Sequence, residues 1–527
     1  MIDTAVLLST LRQPEFETAF VPEPTLLFGR NQELVDPRVG LGVYGPYDVT
    51  QPSLRHIRVG VIGTGPLIDR TRAWLDQCTG RVLPVRRVIE NREVKVKQMD
   101  PRVVPAFPGL MEVFEADFSI PPGLTVALTS AELANVDREG SYFEQRVTRL
   151  LDLLIAKLRV LSEKPAPPHV VIIALPTTIR VRCTAPTKHK RRPKGLRRQA
   201  EALKADLERD AAAGQAALFN IAEAEGVKLE TELAEEQTIF HHGLKSRAMG
   251  AVDFPTQLLW EQTLAGINVE DDATRAWNFW SGLYYKAGNE PWRIARLAAG
   301  TCFVGLSFYR ERRDARLHAC LGQAFSDAGE GMVLRSQAFQ WEGAESPHLT
   351  RELAQEFMEQ VLDAYKAHWN QHPRRVVIHK WQRYTPDERA GFEAAFAAAG
   401  VHTSDMVAFS ERGLRFFRTG QEPPLRGTLI RLSDTNALLY TRGYVPFHGQ
   451  YGGMRVPKPL EIVEHFGAAP MSQIAQEILA LTKMDWNSTA FGGREPITTA
   501  FAEDVGHIMA ELPAGEKEPK RFYRFYM

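Results

Sequence analysis

The sequence predicts an α/β protein built on parallel sheets, and two strand-and-helix patterns carry that reading. A helix-period segment over 142–164 runs into an apolar, proline-bounded stretch at 169–176. Farther on, residues 301–309, 349–369 and 375–379 repeat the order strand, helix, strand, as parallel sheets require. Composition agrees: 527 residues, 44% hydrophobic and 24% charged, can bury a sizeable core, which excludes a disordered, collagen-like or coiled-coil chain.

In chain order, the first hundred or so residues are rich in turns. Pro22-Glu23-Pro24, Phe28-Gly29 and the run from Gly40 to Pro46 separate short extended pieces. Residues 57–63 read as a buried strand leading into a helix through Trp74. Over 142–164, Val147, Leu150, Leu151, Leu154, Leu158 and Leu161 recur at spacings of three and four, giving one apolar helix face that Pro165, Pro167 and Pro168 terminate. Residues 180–238 differ in kind. Nine Lys/Arg and no acid lie between Arg180 and Arg198, followed by an Ala/Glu/Lys-rich stretch. Two readings stay open there: a solvated helical insertion, or a mobile basic element near nucleic acid or a partner. A second α/β unit begins near Arg296; its helix carries Leu353, Phe357, Val361 and Tyr365 on one face, with Pro347 near its start.

Sixty-four basic residues balance 64 acidic ones, so no whole-chain polycation is present, although a local basic groove is compatible with that balance. Cys78, Cys183, Cys302 and Cys320 are far apart and form no CxxC, which argues against a zinc ribbon or a disulfide scaffold. The longest aliphatic run, 170–175, is too short to span a bilayer, and Asp3 precedes no basic-then-apolar leader. A soluble, cytoplasmic protein with no membrane partner is expected.

Gly60, Gly63 and Gly65 invite a dinucleotide-binding reading. Ile68 stands where the third glycine belongs, and no acid follows at the ribose position of a clear βαβ unit, so a strand-to-helix turn accounts for them better. A stronger constellation spans 241–292. His241 and Lys245 are four apart on a helical segment, Gln257 opens a strand, and Lys286 ends another helix before Ala287-Gly288. Two lysines, an imidazole and an amide suit an anion such as a phosphate. The spacing alone equally fits lysines on solvated helix faces.

Leu244-Lys245-Ser246 with Pro255-Thr256-Gln257, then Tyr285-Lys286-Ala287-Gly288-Asn289-Glu290-Pro291-Trp292, resembles the MID-domain signature of prokaryotic Argonautes. Leu481-Thr482-Lys483-Met484-Asp485-Trp486-Asn487, followed by Pro496-Ile497-Thr498, resembles the late PIWI signature. Gly40-Leu41 with Tyr44-Gly45-Pro46-Tyr47-Asp48 is similar to the opening of short members. The resemblance runs in the correct order from about residue 22 to the end. It implies a short, catalytically inactive Argonaute: a β-rich segment over 1–110, a Rossmann-like MID domain over 111–292 carrying the 180–238 insertion, and an RNase H-like PIWI domain over 293–527.

Position by position, the resemblance places the pocket for a guide's 5′-phosphate on His241, Lys245, Gln257 and Lys286. A Mg2+ ion there is held with the chain-terminal carboxylate, which here belongs to Met527. Cleaving members hold two metal ions on carboxylates. Here Ser307 takes the first aspartate position, and Trp381 stands in the segment His379–Arg383, where the later one is expected. Asp434 and Asn436 are candidates for the fourth position. The implied function is a sensor that binds a small guide RNA and a complementary, often single-stranded, DNA target without cutting. It would activate a separate APAZ-containing effector (TIR, Sir2-like or nuclease) in prokaryotic defence. The alternative is a slicing nuclease using displaced acids.

Overall fold

The computed structural model describes residues 17–184 and 240–527, less 91–92, 101–103, 139, 311–316, 326–332, 340–346, 411–413, 417, 419–422, 450, 452–455 and 513–519. The 180–238 insertion therefore lies outside the described residues beyond 184.

The described chain opens with β1 (Glu17–Phe20), β2 (Leu26–Phe28) and β3 (Gln32–Leu34), then β4 (His56–Gly63) and helix α1 (Gly65–Gln77). A two-stranded ribbon follows, β5 (Val85–Glu90) and β6 (Glu93–Gln98), then β7 (Asp117–Ser119), β8 (Thr125–Ala127), α2 (Phe143–Ser162) and β9 (Val170–Leu175). Helix α3 covers 240–251, followed by β10 (Thr256–Trp260), α4 (Asp272–Lys286) and β11 (Arg293–Ile294). Strands β10, β9, β4 and β7 form one parallel sheet, with β8 also on β4. All six residues of β9 are buried because helices cover both faces, which is why the strand is uniformly apolar rather than alternating. The α2 residues Leu150, Leu154, Leu158 and Leu161 pack against Val171, Ile173 and Leu175 of β9.

This sheet corrects the expected boundary at residue 110. Strand β4 pairs directly with β9, so residues 56–63 are the centre of the first α/β unit and not part of a separate leading segment. Gly63 serves the same pairing: a Cβ there would meet the Ala174 carbonyl oxygen at 2.9 Å, whereas one at Gly65 would meet nothing within 4 Å. The glycine pattern is therefore a packing device of a strand-to-helix turn.

The second unit holds β12 (Thr301–Arg310), β13 (Leu317–Phe325), β14 (Leu334–Phe339), α5 (Arg351–Trp369), β15 (Arg375–Lys380), α6 (Pro386–Ala399), β16 (Thr403–Ser410), β17 (Thr428–Arg431), β18 (Ala437–Leu439), β19 (Leu460–Gly467), α7 (Met471–Leu481) and α8 (Ile497–Ala510). Its sheet has the order β1-β17-β18-β19-β16-β15-β12-β13-β14. β12, β15 and β16 run parallel; β13 and β19 are antiparallel to their neighbours. Helices α5 and α6 cover one face, and α8 lies against β12 and β13. Local chemistry sets α6: Thr385 and Glu388 form a capping box, Pro386 occupies the first turn, and Gly400 stops it at φ +69°. The leading segment joins both units, because β1 pairs with β17 and β2 pairs with β11.

Candidate functional site

Helix α3 buries Phe240, Leu244 and Ala248, and the same packing carries Lys245 inward until it is 1% exposed. Its Nζ donates to the Thr256 carbonyl at the start of β10. Lys286, at the last turn of α4, is 2% exposed and donates to the Gln257 side-chain oxygen. Gln257 in turn donates to the Leu258 carbonyl. His241 lies on α3 one turn before Lys245 and feels the charges of both lysines. The structure thus brings His241, Lys245, Gln257 and Lys286 together from three elements.

Their electrostatics are unusual for lysines. Among the described residues neither Lys245 nor Lys286 forms an ion pair, and two buried cations without counter-ions are costly. Burial, then the charge of Lys286, holds the Lys245 amine well below its ordinary value. Burial pushes Lys286 down to about 7, opposed by the field of Asp485. His241 is held well below the ordinary histidine value by burial and then by Lys245, His242 and Lys286, so it is a neutral ring at pH 7.

The Lys286 amine titrates near 7 in the fold against a reference of 10.5, so between those values the unfolded chain binds more protons. Stability of the empty protein should therefore rise with pH through this window, by up to ~1.4 kcal/mol per pH unit. An anion that restores the proton should show the reverse, binding less tightly by up to about tenfold per pH unit above pH 7. Denaturant melts and binding titrations across pH 6.5–9 read both slopes.

The surrounding motifs fix the pocket. The Tyr284 hydroxyl donates to Asp48 Oδ1 at 2.6 Å, and the Glu290 amide donates to Asp48 Oδ2 at 2.9 Å. Asn289 exchanges hydrogen bonds with the Leu54 backbone. Trp292 Nε1 donates to the Lys483 carbonyl at 2.9 Å, Trp486 Nε1 donates to the Trp292 carbonyl at 3.2 Å, and Tyr285 stacks on Trp486 at 4.1 Å. The chain end tucks inward: Tyr523, Phe525, Tyr526 and Met527 are all buried, with Tyr523 against Phe501 and Tyr285. Sequence reasoning missed Asp485 and the offset stack of His242 on His507 of α8, 5.4 Å apart. Asp485 sits inside a motif already noted; nothing local marks the histidine pair, whose members are 265 positions apart in sequence.

At the other suspected centre, Ser307 Oγ on β12 donates to the Ala502 carbonyl of α8 at 2.6 Å. His379 on β15 is fully buried, paired with Thr498 Oγ1 at 2.8 Å and pushed down to about 3 by burial. Trp381 packs on the core with its edge to Phe409. Asp434 and Asn436 do not join them: they lie at the β17–β18 turn, with β19, β16 and β15 between that turn and β12. Among the described residues no group of three or more His, Cys, Asp or Glu could hold a metal ion.

No family model matches the chain. The Argonaute protein of Aquifex aeolicus is 21% identical over 256 residues, 48% of this chain and 34% of that relative. Among solved structures, Clostridium butyricum Argonaute bound to a guide DNA and a 19-mer target DNA aligns with TM-score 0.59 at 15% identity, over 97% of this chain and 55% of that one. Drosophila Piwi aligns with TM-score 0.53 at 12% identity, over 97% and 56%. The fold is thus Argonaute-like, a MID-type α/β unit followed by a PIWI-type sheet, and the chain spans little more than half the length of these structures. Among the described residues no helix is long and apolar enough to cross a membrane.

Proposed function

We propose that this protein holds a small guide strand by its 5′-phosphate, pairs it with a complementary nucleic acid and signals that pairing without cutting. The carrying observation is the pair Lys245 and Lys286, buried without ion-pair partners among the described residues and flanked by a neutral imidazole and an amide. A phosphate dianion supplies the missing counter-charge, and His241 offers a face for the first base. The Argonaute likeness supports a guide paired with a target nucleic acid; the reading takes the guide as RNA and the target as single-stranded DNA, with sequence read by base pairing and the protein reading duplex shape.

A divalent ion beside the guide's 5′-phosphate, with the Met527 carboxylate as one oxygen ligand, belongs to the same proposal. The buried Met527 terminus offers a carboxylate, and hard cations such as Mg2+ take oxygen ligands. When bound, such an ion would add positive charge beside the phosphate. The protein's own residues anchor and orient: lysines neutralise, Gln257 positions Lys286, and the Asp48 contacts hold the loop after α4.

Absence of cutting is supported by Ser307, which is engaged with α8, and by Trp381, which packs against Phe409; neither offers a carboxylate for two metal ions. The output then belongs to a separate effector, an APAZ-containing protein with a TIR, Sir2-like or nuclease domain. The test loads the protein with a 5′-phosphorylated guide and adds complementary target with Mg2+ or Mn2+. Stable target binding with intact target is expected; a guide-directed cut would favour a slicing nuclease with displaced acids.

A further inference from the structure

The ribbon β5–β6 is not absorbed by this reading. Its register pairs Ile89 with Val94 and Arg87 with Val96 on one face, and Arg86 with Lys97 and Val88 with Lys95 on the other. Ile89, Val94 and Val96 are 50%, 50% and 65% exposed. All of β6 is exposed, and among the described residues it pairs with β5 alone. The other edge of β5 is already covered: the Asn268 amide donates to the Arg87 carbonyl, and the Ile89 amide donates to Asn268 Oδ1. Arg87 also anchors the ribbon to Asp272 at 2.6 Å.

A two-stranded ribbon whose outer strand is wholly exposed is marginal. Like charges directly opposite each other weaken it further, and here neither Arg86 nor Lys97 meets a carboxylate among the described residues. An open edge, an exposed aliphatic stripe and an unneutralised cationic pair together specify their complement.

We propose that β6 receives a strand from a partner protein, alternately apolar and acidic, which extends the ribbon to three strands. Its apolar side chains cover Ile89, Val94 and Val96 while its carboxylates face Arg86 and Lys97. Charge complementarity alone would also suit a phosphate backbone, but the aliphatic stripe would then stay wet. Asp272 opens α4 and Lys286 closes it, so helix rise puts the ribbon's anchor about 20 Å from the guide pocket. The proposal rests on the partner-protein part of the reading above.

The experiment co-expresses the chain with the protein that co-purifies from its native cells, comparing wild type with R86E/K97E and with V94T/V96T. Both variants should lose at least tenfold in partner affinity while retaining the wild-type content of bound guide. Amide hydrogen exchange should show β6 protected in the wild-type complex. Partner affinity within twofold of wild type in both variants overturns this docking site and leaves the sensor reading standing. A wild-type chain that never holds a stoichiometric partner overturns both. Protection of β6 by guide–target duplex without partner assigns the ribbon to nucleic acid and also overturns the proposal.

Discussion

Exchanging Lys245 and Lys286 for methionine is expected to raise the melting temperature of the empty protein while removing its preference for a 5′-phosphorylated strand. The two effects share one cause. Each amine is almost wholly buried and neither has an ion-pair partner among the described residues, so each costs desolvation in the empty fold. Methionine keeps the stem length without the charge. Its cost is the loss of donors to the Thr256 carbonyl and the Gln257 oxygen. The net gain should be about 1 kcal/mol, the low end of what replacing a buried ion pair with apolar residues gives. Binding moves the other way. Two charge-assisted hydrogen bonds to phosphate, at about 1.5–3 kcal/mol each, predict a loss of roughly 100-fold to 10,000-fold in affinity. A strand ending in a 5′-hydroxyl makes neither bond and should bind both proteins within about threefold. Anisotropy titrations with the two strands, beside thermal melts, give the comparison. A double variant that still prefers the phosphorylated strand would remove the anchoring site from the proposed function.

What was legible in the sequence was what is local. Six consecutive apolar residues, four of them β-branched and bounded by prolines, read as a strand buried on both faces, and the spacing of Leu150, Leu154 and Leu158 fixes the helix that covers it. The pocket residues were reachable because His241, Lys245, Gln257 and Lys286 lie in short motifs with fixed order. Their burial was not. Helical spacing says that His241 and Lys245 share a face, but only packing of α3 shows that the face is internal. Pairings across long separations were invisible for the same reason. Tyr284 and Asp48 are 236 positions apart, and Trp292 reaches Lys483 across 191. The boundary at residue 110 failed on such a pairing, since β4 and β9 are neighbours in space and distant in the chain. Where Asp434 and Asn436 lie relative to Ser307 depends on strand order, which no single strand's composition encodes.

The largest stability effect should come from a buried cluster away from the pocket. Arg375, 7% exposed at the start of β15, donates from Nε to Asp405 Oδ2 at 2.7 Å and from Nη1 to Glu477 Oε1 at 2.5 Å. Asp405 also pairs with His465 Nε2 at 2.8 Å and accepts from the Ala469 amide, while Gln473 donates to Glu477. Burial alone would raise the Asp405 carboxyl, but hydrogen bonds from His465 and Arg375 hold it below its ordinary value. Removing the guanidinium with Arg375→Met leaves two buried carboxylates without their shared cation. The expected cost is about 3–5 kcal/mol, the range for breaking a buried pair from one side. The pH dependence identifies the cause. Asp405 stabilises the wild-type fold above the usual carboxylate range, and that contribution is lost as pH falls through its depressed value. The penalty of Arg375→Met should therefore be full at pH 7 and shrink toward pH 4, where the Asp405 carboxyl of the variant, no longer held down by the guanidinium, can take up a proton. Neutralising all three positions, R375M/D405N/E477Q, should recover most of the loss at pH 7, because no buried charge is then left unpaired. A penalty independent of pH would instead assign the effect to lost packing around the Arg375 stem.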